Sequence, residues 1–416
     1  MDDKAWLIKL SNILVSISLK VAGAFSLLAV TFVSAKLLSF NESGYFIFLL
    51  AVFQTASLLL RFGLDNIIVK LFSNEGKVSI IQADFQVLMS FFLKISAVYF
   101  VFSLFFYMFF LEGHSSISSH EYYKIIIIIF LVSSYSLLSF LFQAALRFKS
   151  AMIYLNVMNN SLFLFLILVT FISNVIDLNL SIFLDLYLTT SLLTVIFAGI
   201  HITKFIEEEA PKVNQTALFY DSLPLFVVSI FQVATNWFGQ FFVSNNFSGD
   251  ELALYSIAQR MAISVSFILV AINFVISPLV ARVDKTNIKL FDKYFNFSVL
   301  LGISFSLPIF LVFIFFGVDI LEKFDPAYTN AFGVLLILLA GQLVNACCGS
   351  VGLFLIMLNK SELYRNMVII SGMISISLCF MLSNLFGLYG VATSTAVAVS
   401  LLNISLFVLL KRTLKS

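Results

Sequence analysis

Four cations lie inside long apolar stretches of this 416-residue chain: Lys20, Arg61, Lys94 and Arg260. Their chemistry is anion binding rather than covalent catalysis. A charge at the centre of a bilayer costs about 2.5–3.5 kcal/mol on insertion scales, so such a residue faces a cavity or a partner. Lys20, Lys94 and Arg260 fall roughly eight to twelve residues into their stretches, too deep for easy reach to water. Arg61 lies nearer an end, with Asp65 one helical turn away, so an intrahelical pair is its structural alternative. Lys94 has the alternative of extending its stem to the interface. In the sequence, no acidic residue falls within a turn of Lys20 or Arg260. Carboxylates are scarcer and sit at the ends of the stretches: Asp185 near one mouth, and Asp221 where a helix N-terminus favours it regardless of function. An excess of embedded cations over anions points to an anionic ligand.

Polar residues accompany these cations at spacings of three and four, which put each set on one helical face. The sets are Asn12, Ser16 and Lys20; Gln54, Ser57, Arg61 and Asp65; Ser90 and Lys94; Ser229, Gln232, Asn236 and Gln240; Ser256, Arg260 and Ser264; and Gln342, Asn345, Gly349 and Gly352. In lipid such a stripe faces protein or water. Helix–helix hydrogen bonding and small-residue packing are the plainer use of the same pattern.

The elements that must hold these residues are set by composition. Hydrophobic residues make up 61% of the chain and charged residues 11%, with mean hydropathy +1.06, a balance foreign to soluble domains. The apolar residues come in runs of about 20, the length of a bilayer-spanning helix. Twelve spans are expected: 11–35, 44–69, 85–111, 123–146, 151–173, 181–203, 218–244, 252–281, 294–317, 331–358, 364–385 and 388–410. Of the 24 basic residues, seventeen fall in gaps on one side of this ladder, from Lys4 and Lys9 to Lys411, Arg412 and Lys415. Only Lys36, Lys124 and Lys323 fall on the other side, and the four embedded cations are the remainder. By the positive-inside rule both termini are cytoplasmic.

The polar gaps are too short for a folded domain, so any function resides in the helices or at their mouths. The Glu207–Glu208–Glu209 run with Pro211 reads as a linker between halves 1–207 and 208–416. Phe32-Val33-Ser34 precedes Tyr45 as Phe242-Val243-Ser244 precedes Tyr255, a constant offset of 210 residues at matching topological positions. A duplication of six helices would relate the halves by a pseudo-twofold along the membrane normal. No small-residue cleavage site follows the first apolar stretch, so it is expected to persist as a helix. Cys347, Cys348 and Cys379 lie in spans and read as packing residues. There is no phosphate-binding P-loop and no HExxH motif. His114 and His120 share a loop with Glu112 and Glu121 but at no compact metal-site spacing. No cofactor, resident metal, nucleic acid or catalytic residue is expected.

Several motifs carry a family resemblance. Thr31 to Leu38, Ser43-Gly44-Tyr45 and Arg61-Phe62-Gly63-Leu64-Asp65 resemble the first two helices of polysaccharide-unit flippases of the Wzx type. Leu254 to Arg260, Ser277-Pro278, Asp325-Pro326-Ala327-Tyr328, Asn345 to Gly349 and Phe386 to Ala392 resemble their second half. The resemblance implies the multidrug/oligosaccharidyl-lipid/polysaccharide exporter superfamily. It implies an all-α polytopic fold of two pseudo-symmetric six-helix bundles around a central cavity. It also implies movement of undecaprenyl-pyrophosphate-linked sugar repeat units, for O-antigen or capsule, across a bacterial cytoplasmic (inner) membrane. Other membrane proteins of polysaccharide assembly are implied partners. The related lipid II flippase carries cavity arginines on the helices corresponding to 1, 2 and 8, where this chain has Lys20, Arg61 and Arg260. Lysine on the first helix keeps the charge but loses the bidentate fork.

On this reading Lys20 and Arg260 neutralise the pyrophosphate, and Arg61 and Lys94 guide it in. Gln232, Asn236 and Gln240 bond sugar hydroxyls, and Trp237 offers a stacking face. A cation-coupled drug exporter of the same fold is the alternative, and would need a buried carboxylate. A membrane glycosyltransferase or polymerase is disfavoured by the short external loops. The topology is open to direct test. A reporter active only outside the cytoplasm, fused after Ser416, is expected to stay silent; activity there would overturn the twelve-span ladder.

Overall fold

A computed structural model describes residues 3–65, 67–68, 80–106, 119–145, 147–173, 178–207, 214–280, 288–358 and 360–414. Nearly all of these are helical, as hydrocarbon demands of a backbone that cannot bond to water. In chain order the helices are α1 Asp3–Leu37, α2 Phe40–Leu60, α3 Gln82–Phe106, α4 Ser119–Ala144, α5 Phe148–Ser173, α6 Leu180–Ile202, α7 Gln215–Asn246, α8 Gly249–Val280 and α9 Ile288–Phe324. Next comes α10, Phe332–Cys348 continued by Val351–Met357 beyond a break at Gly349. The final stretch, Ser361–Thr413, is two helices, α11 (361–386) and α12 (388–413), because Gly387 has non-helical torsions. Among the described residues this gives twelve helices in the order the hydropathy predicts. Ten stretches are long and apolar enough to cross a membrane by length and composition, which makes this a multi-pass membrane protein.

Several helices run beyond the apolar runs. α9 continues through Asp319, Glu322 and Lys323 to Phe324, a region expected as an external loop. Asp325 then caps the short 3-10 turn Pro326–Ala331 by accepting from the Ala327 N–H at 2.8 Å. His120 and Glu121 likewise lie on α4 rather than in a loop, while Glu112 and His114 fall outside the described residues. The expected linker is not wholly irregular: Ile206–Glu207 pairs in parallel with Ile80–Ile81 as a two-residue ladder, β2 with β1.

The chain forms two compact units whose boundaries cross the proposed halves 1–207 and 208–416. The first, here the C-terminal unit, comprises Ile230–Ser416 with Met1–Ile17 and Thr31–Phe48. The second, the N-terminal unit, comprises Ser18–Val30 and Leu49–Ser229. In the N-terminal unit α4 is the most buried span, with α5 and α6 against it. Phe53 stacks on Tyr187 at 5.2 Å, and Phe163 meets both Phe183 and Tyr187 edge-on. In the C-terminal unit Phe291, Phe295, Phe354, Leu406 and Leu410 form one buried cluster of α9, α10 and α12. Large apolar side chains are exposed along α3 and α9, the surfaces a bilayer would cover.

A second mark of duplication appears at the starts of α2 and α8. Ser39 and Glu42 form a reciprocal capping box, and Ser248 and Glu251 form the same box. Their offset is 209 residues, one fewer than the tyrosines give, because the chain from Glu251 to Tyr255 is one residue longer than that from Glu42 to Tyr45. In the box register Gly44 is equivalent to Ala253, and the two pack against each other, as equivalent residues do on a twofold axis. A Cβ on residue 44 would overlap the Ala253 Cα and Cβ. Gly44→Val is therefore expected to destabilise the purified protein by about 1–3 kcal/mol, seen as a lower thermal midpoint. Gly199→Ala, at a position with open space around it, is expected to leave the midpoint unchanged.

Candidate functional site

In the N-terminal unit α2 ends at a backbone break that fixes Arg61. Phe62 (φ 52°) and Gly63 (φ 78°) both adopt left-handed torsions, and a side-chain-bearing residue tolerates this only when its surroundings hold it. The Phe62 ring stacks on Phe226 at 4.4 Å and on Phe219 at 5.7 Å. Gly63 sits where a Cβ would lie 2.8 Å from the Ser222 carbonyl oxygen. The end of α2 is thus docked on the first turns of α7, on both sides of Pro224. Arg61 is 6% exposed, and its Nε donates to Asp65 Oδ1 at 2.6 Å. Its Nη1 donates to Ser57 Oγ at 3.2 Å, and the guanidinium lies 5.9 Å from the Phe140 ring centre. The one-turn pair read in the sequence is therefore present.

Lys94 is exposed on α3, and its ammonium donates to Gln215 Oε1 at 2.7 Å. Gln215 Nε2 in turn donates to Ser90 Oγ at 3.2 Å, so the Ser90–Lys94 stripe is tied to the first residue of α7. Lys20 is half-buried. One turn further along α1, Gly23 abuts α5, where a Cβ would lie 2.9 Å from the Asn156 carbonyl oxygen. Asn156 belongs to a π-helical turn, Ile153–Val157, a local widening often found at functional sites. The side chains of Asn12 and Ser16, which complete the Lys20 stripe, fall outside the described residues.

The C-terminal unit holds Arg260 and the amide stripe. Arg260 is 4% exposed on α8, and its Nη2 donates to the Ile47 carbonyl oxygen of α2 at 3.4 Å. One turn back, Ser256 Oγ accepts from Gln240 Nε2 at 2.8 Å. Gln259 Nε2 donates to the Asn236 carbonyl at 2.7 Å. Gln232 Nε2 donates to the Tyr364 hydroxyl at 2.7 Å, and Asn236 Nδ2 bonds back to the Gln232 carbonyl at 2.9 Å. Trp237 is half-buried. The side-chain carbonyl oxygens of Gln240 and Gln259 are buried with no hydrogen-bond partner among the described residues.

The geometry thus joins Gln232, Asn236 and Gln240 with Ser256 and Gln259 in one polar seam of α7 and α8, with Arg260 adjoining in sequence. It places Lys20, Arg61 and Lys94 in the other unit. Three participants escaped the sequence reading. Gln259 stood beside Arg260 and could have been found from its position in the Tyr255–Arg260 run. Tyr364 and Gln215 could not, because each acts on a distant helix.

Known structures share this architecture. The chain matches a lipid II flippase, MurJ, in an inward closed conformation over 97% of its own length and 87% of the other's, with 16% identity and a TM-score of 0.70. It matches an inward-facing multidrug resistance MATE family transporter of the MOP superfamily over 97% and 98% of the two chains, with 11% identity and a TM-score of 0.67. The Vibrio cholerae MATE transporter VcmN in its bent form matches over 97% of each chain at 11% identity, with a TM-score of 0.63. The fold is therefore the one these MOP-superfamily transporters share. No protein-family model matches the chain, and no curated protein does.

The Arg61–Asp65 pair generates a thermodynamic prediction. Removing one member of a buried pair leaves the other charge uncompensated, at a cost of about 3–5 kcal/mol. Arg61→Ala and Asp65→Ala are each expected to lower thermal stability strongly, and the double variant to lose less than their sum. Additive losses in that double-mutant cycle would show the pair to be energetically uncoupled.

Proposed function

We propose that this protein is a flippase for pyrophosphate-linked lipid oligosaccharides, acting without covalent chemistry in a bacterial cytoplasmic membrane during assembly of a surface polysaccharide such as O-antigen or capsule. The observation that carries the reading is a guanidinium, Arg260, buried at 4% exposure in a chain whose fold matches a lipid II flippase along 97% of its length. A pyrophosphate-linked lipid is a substrate class that a guanidinium's planar donor fork suits.

In this mechanism Lys20 and Arg260 are the pyrophosphate contacts, and Trp237 with the half-buried amides of Gln232 and Asn236 takes the sugar. Gln240 and Gln259 stand behind them, buried, and Gln240 donates to Ser256 and Gln259 to the Asn236 carbonyl. Arg61, neutralised by Asp65, serves gating rather than binding. Two seams join residues from the two sequence halves. One is Ser43 Oγ with the Tyr328 hydroxyl at 2.7 Å, beside the Gly44–Ala253 contact. The other is Phe62 on Phe219 and Phe226. Alternating access follows if these seams open in turn. The drug-exporter reading shares the fold but needs a buried carboxylate able to exchange a cation; Asp65 is engaged by Arg61, and Asp84, at the start of α3, is buried.

The reading predicts that positive charge matters at both contact positions. Lys20→Arg is expected to retain polysaccharide export. Lys20→Ala and Arg260→Ala are each expected to lose most of it at matched protein levels in the membrane. A lost bond to a charged group is worth about 1.5–3 kcal/mol, roughly a ten- to hundredfold weakening. Unimpaired export by the double alanine variant would make these cations structural and remove the case for an anionic substrate.

A further inference from the structure

Tyr364 adds a hydroxyl from another helix to the amide stripe of α7. Gln232 Nε2 donates to it at 2.7 Å. Both side chains are half-buried, whereas Gln240 and Gln259 of the same seam are buried. A hydroxyl that accepts one bond keeps a proton to donate, and an amide that donates keeps a carbonyl oxygen to accept. Among the described residues neither of these second groups has a protein partner. The pair therefore presents one donor and one acceptor side by side. Asn236 and Trp237, both half-buried, follow one turn further along α7.

Close helix contacts hold this pair in place. Tyr364 lies in the first turn of α11, and its ring rests on Gly352 of α10, where a Cβ would lie 2.8 Å from the ring carbon Cε2. Two turns on, Gly372 meets α7 so closely that a Cβ would lie 2.9 Å from the carbonyl oxygen of Phe231, the neighbour of Gln232. The turn from α10 into α11 is itself bonded: the Lys360 N–H donates to the Leu355 carbonyl at 2.9 Å, and the Tyr364 N–H to the Lys360 carbonyl at 3.2 Å. Packing thus carries the Tyr364 hydroxyl to Gln232. Packing does not need the hydroxyl, since phenylalanine, used 50 times in this chain, would cover Gly352 as well. We propose that Tyr364 determines specificity: with Gln232 it takes one hydroxyl of the substrate's sugar. The tyrosine donates to the sugar oxygen, and the sugar hydroxyl donates to Gln232 Oε1. A hydroxyl is donor and acceptor at once, which an ether or an apolar group is not. A site built this way rejects a ligand that lacks the hydroxyl, because its own polar groups are then left unpaired. The inference rests on the flippase reading for its substrate, and gives Tyr364 the sugar half of recognition rather than the charge.

Affinities of the purified full-length protein for a polyprenyl pyrophosphate bearing one hexose, and for the bare polyprenyl pyrophosphate, test this. The wild type is expected to prefer the hexose-bearing lipid. Tyr364→Phe keeps the ring on Gly352, so its thermal midpoint is expected to match the wild type. Its preference for the hexose is expected to fall about fivefold, the size of one lost neutral hydrogen bond. Gln232→Ala is expected to lose as much, and the double variant no more than either alone, because the two side chains act on one hydroxyl. Gly352→Ala, which pushes the ring off its seat, is expected to show the same loss of preference. Equal affinity of the wild type for the two lipids, or a Tyr364→Phe variant that keeps the preference or weakens both lipids alike, would overturn the proposal and leave the flippase reading standing. A wild type that binds neither lipid would remove that reading and the proposal with it.

Discussion

The constraint on which everything else depends is that hydrocarbon offers no hydrogen bonds. Backbone donors and acceptors must be satisfied within the chain, so the described residues are helix almost throughout, with one two-residue ladder. The interruptions then become informative, since each exposes backbone that the helix would have satisfied. Gly349 and Gly387 take positive φ at breaks that a side chain would resist. Phe62 does so without that freedom, and the surrounding rings of Phe219 and Phe226 hold it there. A strained residue kept in place by aromatic stacking at the end of α2 marks a point where the fold spends stability on something other than packing.

The same solvent sorts the charges. A cation in a span needs a compensating group, and three different ones occur. Arg61 has a carboxylate at 2.6 Å, a neighbouring serine and an aromatic ring. Arg260 has a backbone carbonyl at 3.4 Å inside a seam rich in amides. Lys94 has one amide and an open apolar surface.

The spans were legible because hydropathy reports what touches lipid, and the break between α11 and α12 was legible because Ser383, Asn384 and Gly387 interrupt the apolar run. Helix ends were not: α1 and α9 continue well past their apolar runs because a helix entering water loses little by continuing. The Arg61–Asp65 pair was read from its i,i+4 spacing, but the turn at Phe62 and Gly63, not a continuous helix, brings the two side chains together. The partners of Arg260, Gln232 and Lys94 could not be read from spacing. The Ile47 carbonyl, the Tyr364 hydroxyl and the Gln215 amide each come from another helix, and which helices meet is set by packing that no local spacing encodes. The repeat shows both sides of this: the tyrosines revealed it, but only the capping boxes with Gly44 against Ala253 set its register at the contact.

The central claim is that this fold carries a lipid by its negative charge. The most direct measurement is translocation by the purified protein in liposomes, comparing a polyprenyl pyrophosphate-linked sugar with an uncharged analogue bearing the same sugar and tail. The account predicts transfer of the charged lipid alone. It also predicts a sharp drop in that transfer when Lys20 and Arg260 are both replaced by alanine. Equal transfer of the two lipids, or undiminished transfer of the charged one by that variant, would contradict it.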